Sequence, residues 1–147
     1  MRQILTLILS CVCVITSAQE FNPRAFRTDI EYMTPRTYPS RQVSFGYTVE
    51  LRNDSAIVYL PYMGNVYVPD LNNEGINFAH PYKDFSVKQN KKKTATTVKF
   101  SFRHSFIEYR FTVIAYLGGR VDIYMQPSNA QSCSYSGTWE NTIRHKD

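Results

Sequence analysis

Few residues of this 147-residue chain have the types and spacing that chemistry needs. Its histidines, His80, His104 and His145, lie in loop-like or terminal contexts, with no spacing that sets two on one strand face or one helical face. A metal site built on one of them needs a second ligand nearby, and only the fold can bring one in. Cys133 could serve as a nucleophile with a distant histidine. It alternates, however, in phase with Tyr135 and out of phase with Ser132, Ser134 and Ser136 in "SCSYSG", so the reading is a buried, inert thiol that packs as a small hydrophobe. The carboxylates Glu108 and Asp122 fall beside Arg110 and Arg120 on strand faces, where cross-strand ion pairing accounts for them without acid–base work. The expectation is therefore a chain that is not an enzyme, with no catalytic residue, no metal site and no cofactor.

The leader restricts the compartment. "MRQILTLILSCVCVITSAQE" has Arg2 as a basic start, an apolar run from Ile4 to Ile15 and small residues Thr16, Ser17 and Ala18 before Gln19. This is the pattern of a secretory signal peptide over residues 1–18, cut after Ala18, which predicts an exported, periplasmic product with no transmembrane segment once cleaved. A rival reading takes "ILSC" as a lipobox with Cys11 acylated; the mature chain would then start on "VCVI", a poor polar tether. Cleavage removes Cys11 and Cys13, leaves Cys133 as the one cysteine, and excludes an intrachain disulfide. The remaining residues, about 129, suffice for one domain with one core. They carry 16 basic side chains against 12 acidic ones, a net charge of about +4. Much of the excess sits in "KQNKKKT", residues 88–94, read as the solvated tip of a hairpin. Basic charge alone, with no nucleic-acid motif, does not argue for a nucleic-acid partner.

The elements that must position these residues are strands. No window of a dozen residues sustains helical spacing, whereas alternation of period two recurs throughout. The expected fold is all-β: an antiparallel meander closing into a small barrel, lipocalin-like in style, or a two-layer sandwich. Residues 19–42 supply an N-terminal segment with one strand, residues 43–139 the β core, and residues 140–147 a frayed tail. In "VSFGYTVEL", Val43, Phe45, Tyr47, Val49 and Leu51 read as the core face, with Asn53 and Asp54 turning the chain after it. "VKFSFR" places Val98, Phe100 and Phe102 inward. In "IEYRFTVIAYLGGRVDIYMQ" a two-residue Gly118-Gly119 loop would set the apolar face of one arm against the wrong side of the other. A three-residue loop, Leu117 to Gly119, instead pairs Val121 with Ala115, Ile123 with Val113 and Met125 with Phe111, with Gly119 left-handed. Weaker strands are expected at residues 25–32, 56–60, 66–68, 76–78, 84–88 and 131–135.

"YLPYMG" after a short strand, then "GINF", a later hairpin pivoting on glycine and "SCSYSG" near the end resemble the bacterial family catalogued as domain of unknown function 4251. The resemblance covers approximately residues 26–137, with Cys133 standing where an aliphatic residue is expected. It implies an all-β envelope domain of exported proteins with no assigned activity, and it carries over no catalytic residues.

The stretch "YLPYMGNVYV", residues 59–68, holds the surface left to explain. If Pro61 to Gly64 form a four-residue loop, Tyr59 pairs with Val66 and Ile57 with Val68. That puts Ile57, Tyr59, Val66 and Val68 on the core face and Ala56, Val58, Leu60, Asn65 and Tyr67 on a second apolar face. Leu60, Tyr62 and Tyr67 then form a candidate recognition patch, since tyrosine gives rigid contact area at low entropic cost. The expected partner is an envelope protein or a glycan, and the function a non-catalytic protein-interaction or structural module. The alternative is a carrier holding an apolar or glycan ligand in a barrel cavity, a reading that a filled interior removes.

Overall fold

The computed structural model describes residues 19–62 and 76–142. Among them every regular element is a strand: β1 Ala25–Pro35, β2 Arg41–Gln42, β3 Thr48–Arg52, β4 Ser55–Leu60, β5 Ile76–Pro81, β6 Lys83–Gln89, β7 Ala95–His104, β8 Ile107–Tyr116, β9 Arg120–Pro127 and β10 Cys133–Asn141. All pair antiparallel in one sheet of order β5-β4-β3-β1-β10-β9-β8-β7-β6, with β2 beside β1. The two edges, β5 and β6, are consecutive in the chain and joined through Tyr82, so one bent strand bridges the sheet's ends and leaves a nearly closed barrel. The bend is held by side chains: Tyr82 donates its hydroxyl to the Asn53 carbonyl, Arg24 reaches that hydroxyl at 3.2 Å, and the Arg24 guanidinium lies 4.0 Å over the Phe85 ring.

Alternation places the core as the pattern requires. Val98, Phe100, Phe102, Ile107, Tyr109, Phe111, Val113, Val121, Ile123 and Met125 all point inward and are buried. The β8–β9 register is the expected one, and Gly119 takes φ +91° in a loop of residues 117–119. Asn53, at φ 53°, turns β3 into β4. At the β6–β7 tip the Asn90 side chain accepts from the amides of Thr94 and Ala95 at 2.8 and 3.2 Å, so an Asx interaction shapes the lysine-rich turn and leaves Lys91 to Lys93 in solvent.

Three expectations fail. Phe45 is not in the core, because β3 begins only at Thr48 and residues 45–46 form a turn. The face of β4 is inverted: Ala56, Val58 and Leu60 are buried, while Tyr59 is 42 % exposed and Ile57 half-buried. β4 lies between β3 and β5, so Tyr59 pairs with Thr48 and Asn77, which leaves no free side for pairing with Val66. Val66 and Val68 themselves lie outside the described residues. Finally, the start of the tail is tied down: Asn141 belongs to β10, its side chain accepts from the Asn22 amide at 2.8 Å and donates to the Glu20 carbonyl at 2.6 Å.

Candidate functional site

The expected patch of Leu60, Tyr62 and Tyr67 does not form as drawn. Leu60 is 1 % exposed and pairs with Ile76 at the end of β4, an inner position that cannot meet a partner. Tyr62 is half-buried against the core and donates its hydroxyl to the Gln131 carbonyl at 2.9 Å. Beside it Tyr135 donates to the Pro61 carbonyl at 2.7 Å. Burial first, then the neighbouring Cys133, raises the Tyr135 phenol above its ordinary value and keeps it a neutral donor. Residues 61–62 are thus anchored to the β9–β10 connection and β10 rather than offered at a tip. Tyr67 lies outside the described residues.

Exposed aromatic surface is found instead where the core was expected. The amide of Val43 donates to the Glu31 carbonyl at 2.9 Å, and the Tyr47 carbonyl accepts from the Ile30 amide at 3.0 Å. These two bonds fall on adjacent residues of β1, so residues 44–46 are pinched out of the ladder as a bulge. Gly46, at φ +105°, supplies the backbone conformation the bulge needs. Phe45 stands on it fully exposed. Next to the bulge, Tyr47 and Tyr59 stack with centroids 5.1 Å apart, which fixes both rings.

Closure also assembles a histidine pair. His80 on β5 and His104 at the end of β7 meet with Nε2 and Nδ1 2.7 Å apart. Their ring centres are 4.9 Å apart, about the contact distance plus the two ring radii, so the nitrogens face each other head-on. Phe78 lies 4.3 Å from the His104 ring and Phe102 stacks on His80 at 5.8 Å. β5 and β7 share no ladder, and these rings cover the seam between them. A third feature is a surface cleft of about 250 Å³ where Arg36, Glu108, Arg110, Gln126, Gln131 and Ser132 converge. Glu108 there pairs with Arg110 of its own strand at 3.7 Å and with Lys83 of β6 at 4.0 Å. Asp122 accepts instead from the Tyr116 hydroxyl at 3.2 Å, and that phenol is raised by desolvation and by the Asp122 charge.

The family model described as a domain of unknown function, DUF4251, matches residues 17–139. The chain belongs to the DUF4251 family. The barrel is similar to the crystal structure of a DUF4251 family protein from Bacteroides eggerthii DSM 20697, with a TM-score of 0.64 over 81 % of this chain and 80 % of that one. At 15 % identity this likeness concerns the fold alone. No curated protein matches the sequence.

DUF4251 membership therefore brings no site residues. Sequence reasoning missed the Phe45 bulge because "VSFGYTVEL" alternates without a break; the Gly46 after Phe45 was the signal available. It missed the histidine pair although a signal existed. His80 continues the alternating row Ile76, Phe78, and His104 the row Val98, Phe100, Phe102, so each lies on an inward face.

Proposed function

We propose that this DUF4251 chain is an exported, periplasmic domain that acts by non-catalytic contact with another envelope protein, and that the Phe45 bulge is the point of contact. The carrying observation is Phe45 itself, fully exposed on a bulge fixed by two backbone hydrogen bonds and by Gly46. A phenylalanine left in water forgoes the roughly 2–3 kcal/mol that burial of its ring supplies, and seating in an apolar pocket recovers it. The stacked Tyr47 and Tyr59 add rigid, amphipathic area beside it. Against the carrier reading, the described inward positions are occupied by large side chains in mutual contact: Phe100 stacks on Phe111 at 5.1 Å, and Phe102 on Tyr109 at 5.5 Å.

A photo-reactive phenylalanine analogue at position 45, irradiated in the intact envelope, tests the contact. The expected result is one discrete protein adduct, absent with the analogue at Lys92, while Phe45→Ala abolishes co-purification of that protein and changes stability by under about 0.5 kcal/mol. Adducts to lipid or glycan alone, or equal adducts at both positions, overturn the reading. Export is tested separately by mass spectrometry of the envelope protein, with Gln19 expected at the N-terminus. A diacylated Cys11 would replace the soluble periplasmic form by a lipoprotein.

A further inference from the structure

We infer that the barrel docks on an anionic lipid bilayer through the joined tips of the β6–β7 and β8–β9 turns, with Lys91, Lys92 and Lys93 at the headgroups and Leu117 at the acyl boundary. The two turns lie at one end of the sheet, and the Leu117 amide donates to the Thr94 carbonyl at 3.0 Å, so they present a single surface. All three lysines are exposed, and among the described residues none holds an ion pair. Leu117 is 54 % exposed in its turn, with Tyr116 half-exposed beside it. Both tips are held by hydrogen bonds. The Asn90 carbonyl accepts from the Lys93 amide at 3.0 Å while its side chain holds Thr94 and Ala95; the Trp139 indole and amide reach the Tyr116 and Gly119 carbonyls at 2.7 and 2.9 Å. Contact therefore has little backbone left to order.

Charge complementarity names the partner. Lysine carries a mobile point charge that suits the diffuse negative charge of headgroups, where arginine's planar fork would suit one carboxylate. A leucine projecting from a turn beside clustered lysines joins apolar insertion to attraction by anionic lipid. Glu20 shares a hollow between these turns with Lys93 and Leu117, and Asp122 is engaged by Tyr116. Set against Lys91, Lys92, Lys93 and Arg120, these two carboxylates leave the turns basic. The connection from β1 to β3 that carries Phe45 leaves the other end of these strands, so the lipid contact is independent of the Phe45 contact.

Co-sedimentation of the mature chain with vesicles tests the docking, using phosphatidylglycerol and phosphatidylcholine in equal parts against phosphatidylcholine alone. The expected result is binding to the anionic vesicles that falls at least about tenfold on the neutral ones, and likewise when salt is raised from about 0.05 to about 0.5 M. Substituting Lys91→Gln, Lys92→Gln and Lys93→Gln together should weaken binding at least about tenfold, since each lysine near an anionic surface contributes about fivefold. Leu117→Ser should weaken it at least about threefold, and Lys99→Gln, on the outer wall of β7, by less than about twofold. Should a variant fail to fold, hydrogen exchange of the wild-type chain decides the matter: anionic vesicles should slow the amides of residues 90–94 and 116–119 and leave residues 44–46 unchanged. Equal binding to neutral vesicles, affinity that survives the triple lysine substitution or Leu117→Ser, or protection confined to residues 44–46 overturns the proposal. Binding to polyglutamate with none to anionic vesicles also overturns it and makes the partner an acidic polypeptide.

Discussion

Single side chains in this barrel are assigned their roles by which side of a strand they occupy. Tyr59 and Leu60 are neighbours in sequence, one 42 % and the other 1 % exposed. Leu60→Ala should therefore cost about 2–5 kcal/mol in denaturant unfolding, while Tyr59→Ala costs under about 1 kcal/mol. Equal costs would place both faces of β4 in a core. Tyr135 carries a pH dependence. Its phenol is raised in the folded state, so the folded chain keeps a proton that the unfolded chain releases above the ordinary tyrosine value of about 10. Its contribution is fully present below that value and is lost as pH rises beyond it. Tyr135→Phe should cost about 1–3 kcal/mol at neutral pH by leaving the Pro61 carbonyl unpaired, and should flatten the alkaline decline measured by urea unfolding from pH 9 to 11.

At the scale of elements, glycine separates backbone need from space. Gly119 ends the β8–β9 loop at φ +91°, while a Cβ added at either Gly118 or Gly119 would meet nothing within 4 Å. Any difference between the two alanine variants is then conformational. Gly119→Ala should destabilise by about 1 kcal/mol, whereas Gly118→Ala should be neutral or slightly stabilising through the unfolded chain. Thermal unfolding of the pair checks this, and equal effects would contradict the three-residue turn. The bulge opposite β1 uses the same device: Val43 and Tyr47 hold the ladder, and Gly46 lets residues 44–46 leave it.

For the whole molecule, topology sets how the chain folds. β1 pairs with β10, so strands from the two ends of the sequence are neighbours in the middle of the sheet, and one continuous core spans them. Such non-local pairing predicts slow folding, in milliseconds to seconds, and a single cooperative transition. Trp139, the sole tryptophan, sits on β10 in edge contact with Phe21 and donates its indole N–H to the Tyr116 carbonyl at 2.7 Å. Its fluorescence should change at the same denaturant concentration as far-ultraviolet circular dichroism. Separate midpoints would divide the barrel into independent units.

The sequence by itself determined the all-β class, the inward rows of β7, β8 and β9 and the three-residue turn at Gly119. Those properties depend on alternation and on turn chemistry within a few residues, both of which are local. Cys133 in phase with Tyr135 was legible for the same reason, and both are buried as that phase requires. Only the tertiary structure decided which face of β4 turns inward. Its segment is apolar on both sides, so parity there depends on pairing with Thr48–Arg52 and Ile76–Pro81 rather than on its own pattern. Phe45 kept the phase of its strand in sequence yet lost the strand itself, because the hydrogen bonds that pinch the bulge come from β1. His80 and His104 stand 24 residues apart and touch because the bent strand through Tyr82 brings β5 across the seam to β7. A contact made by closing a barrel leaves no periodicity in either of the strands it joins.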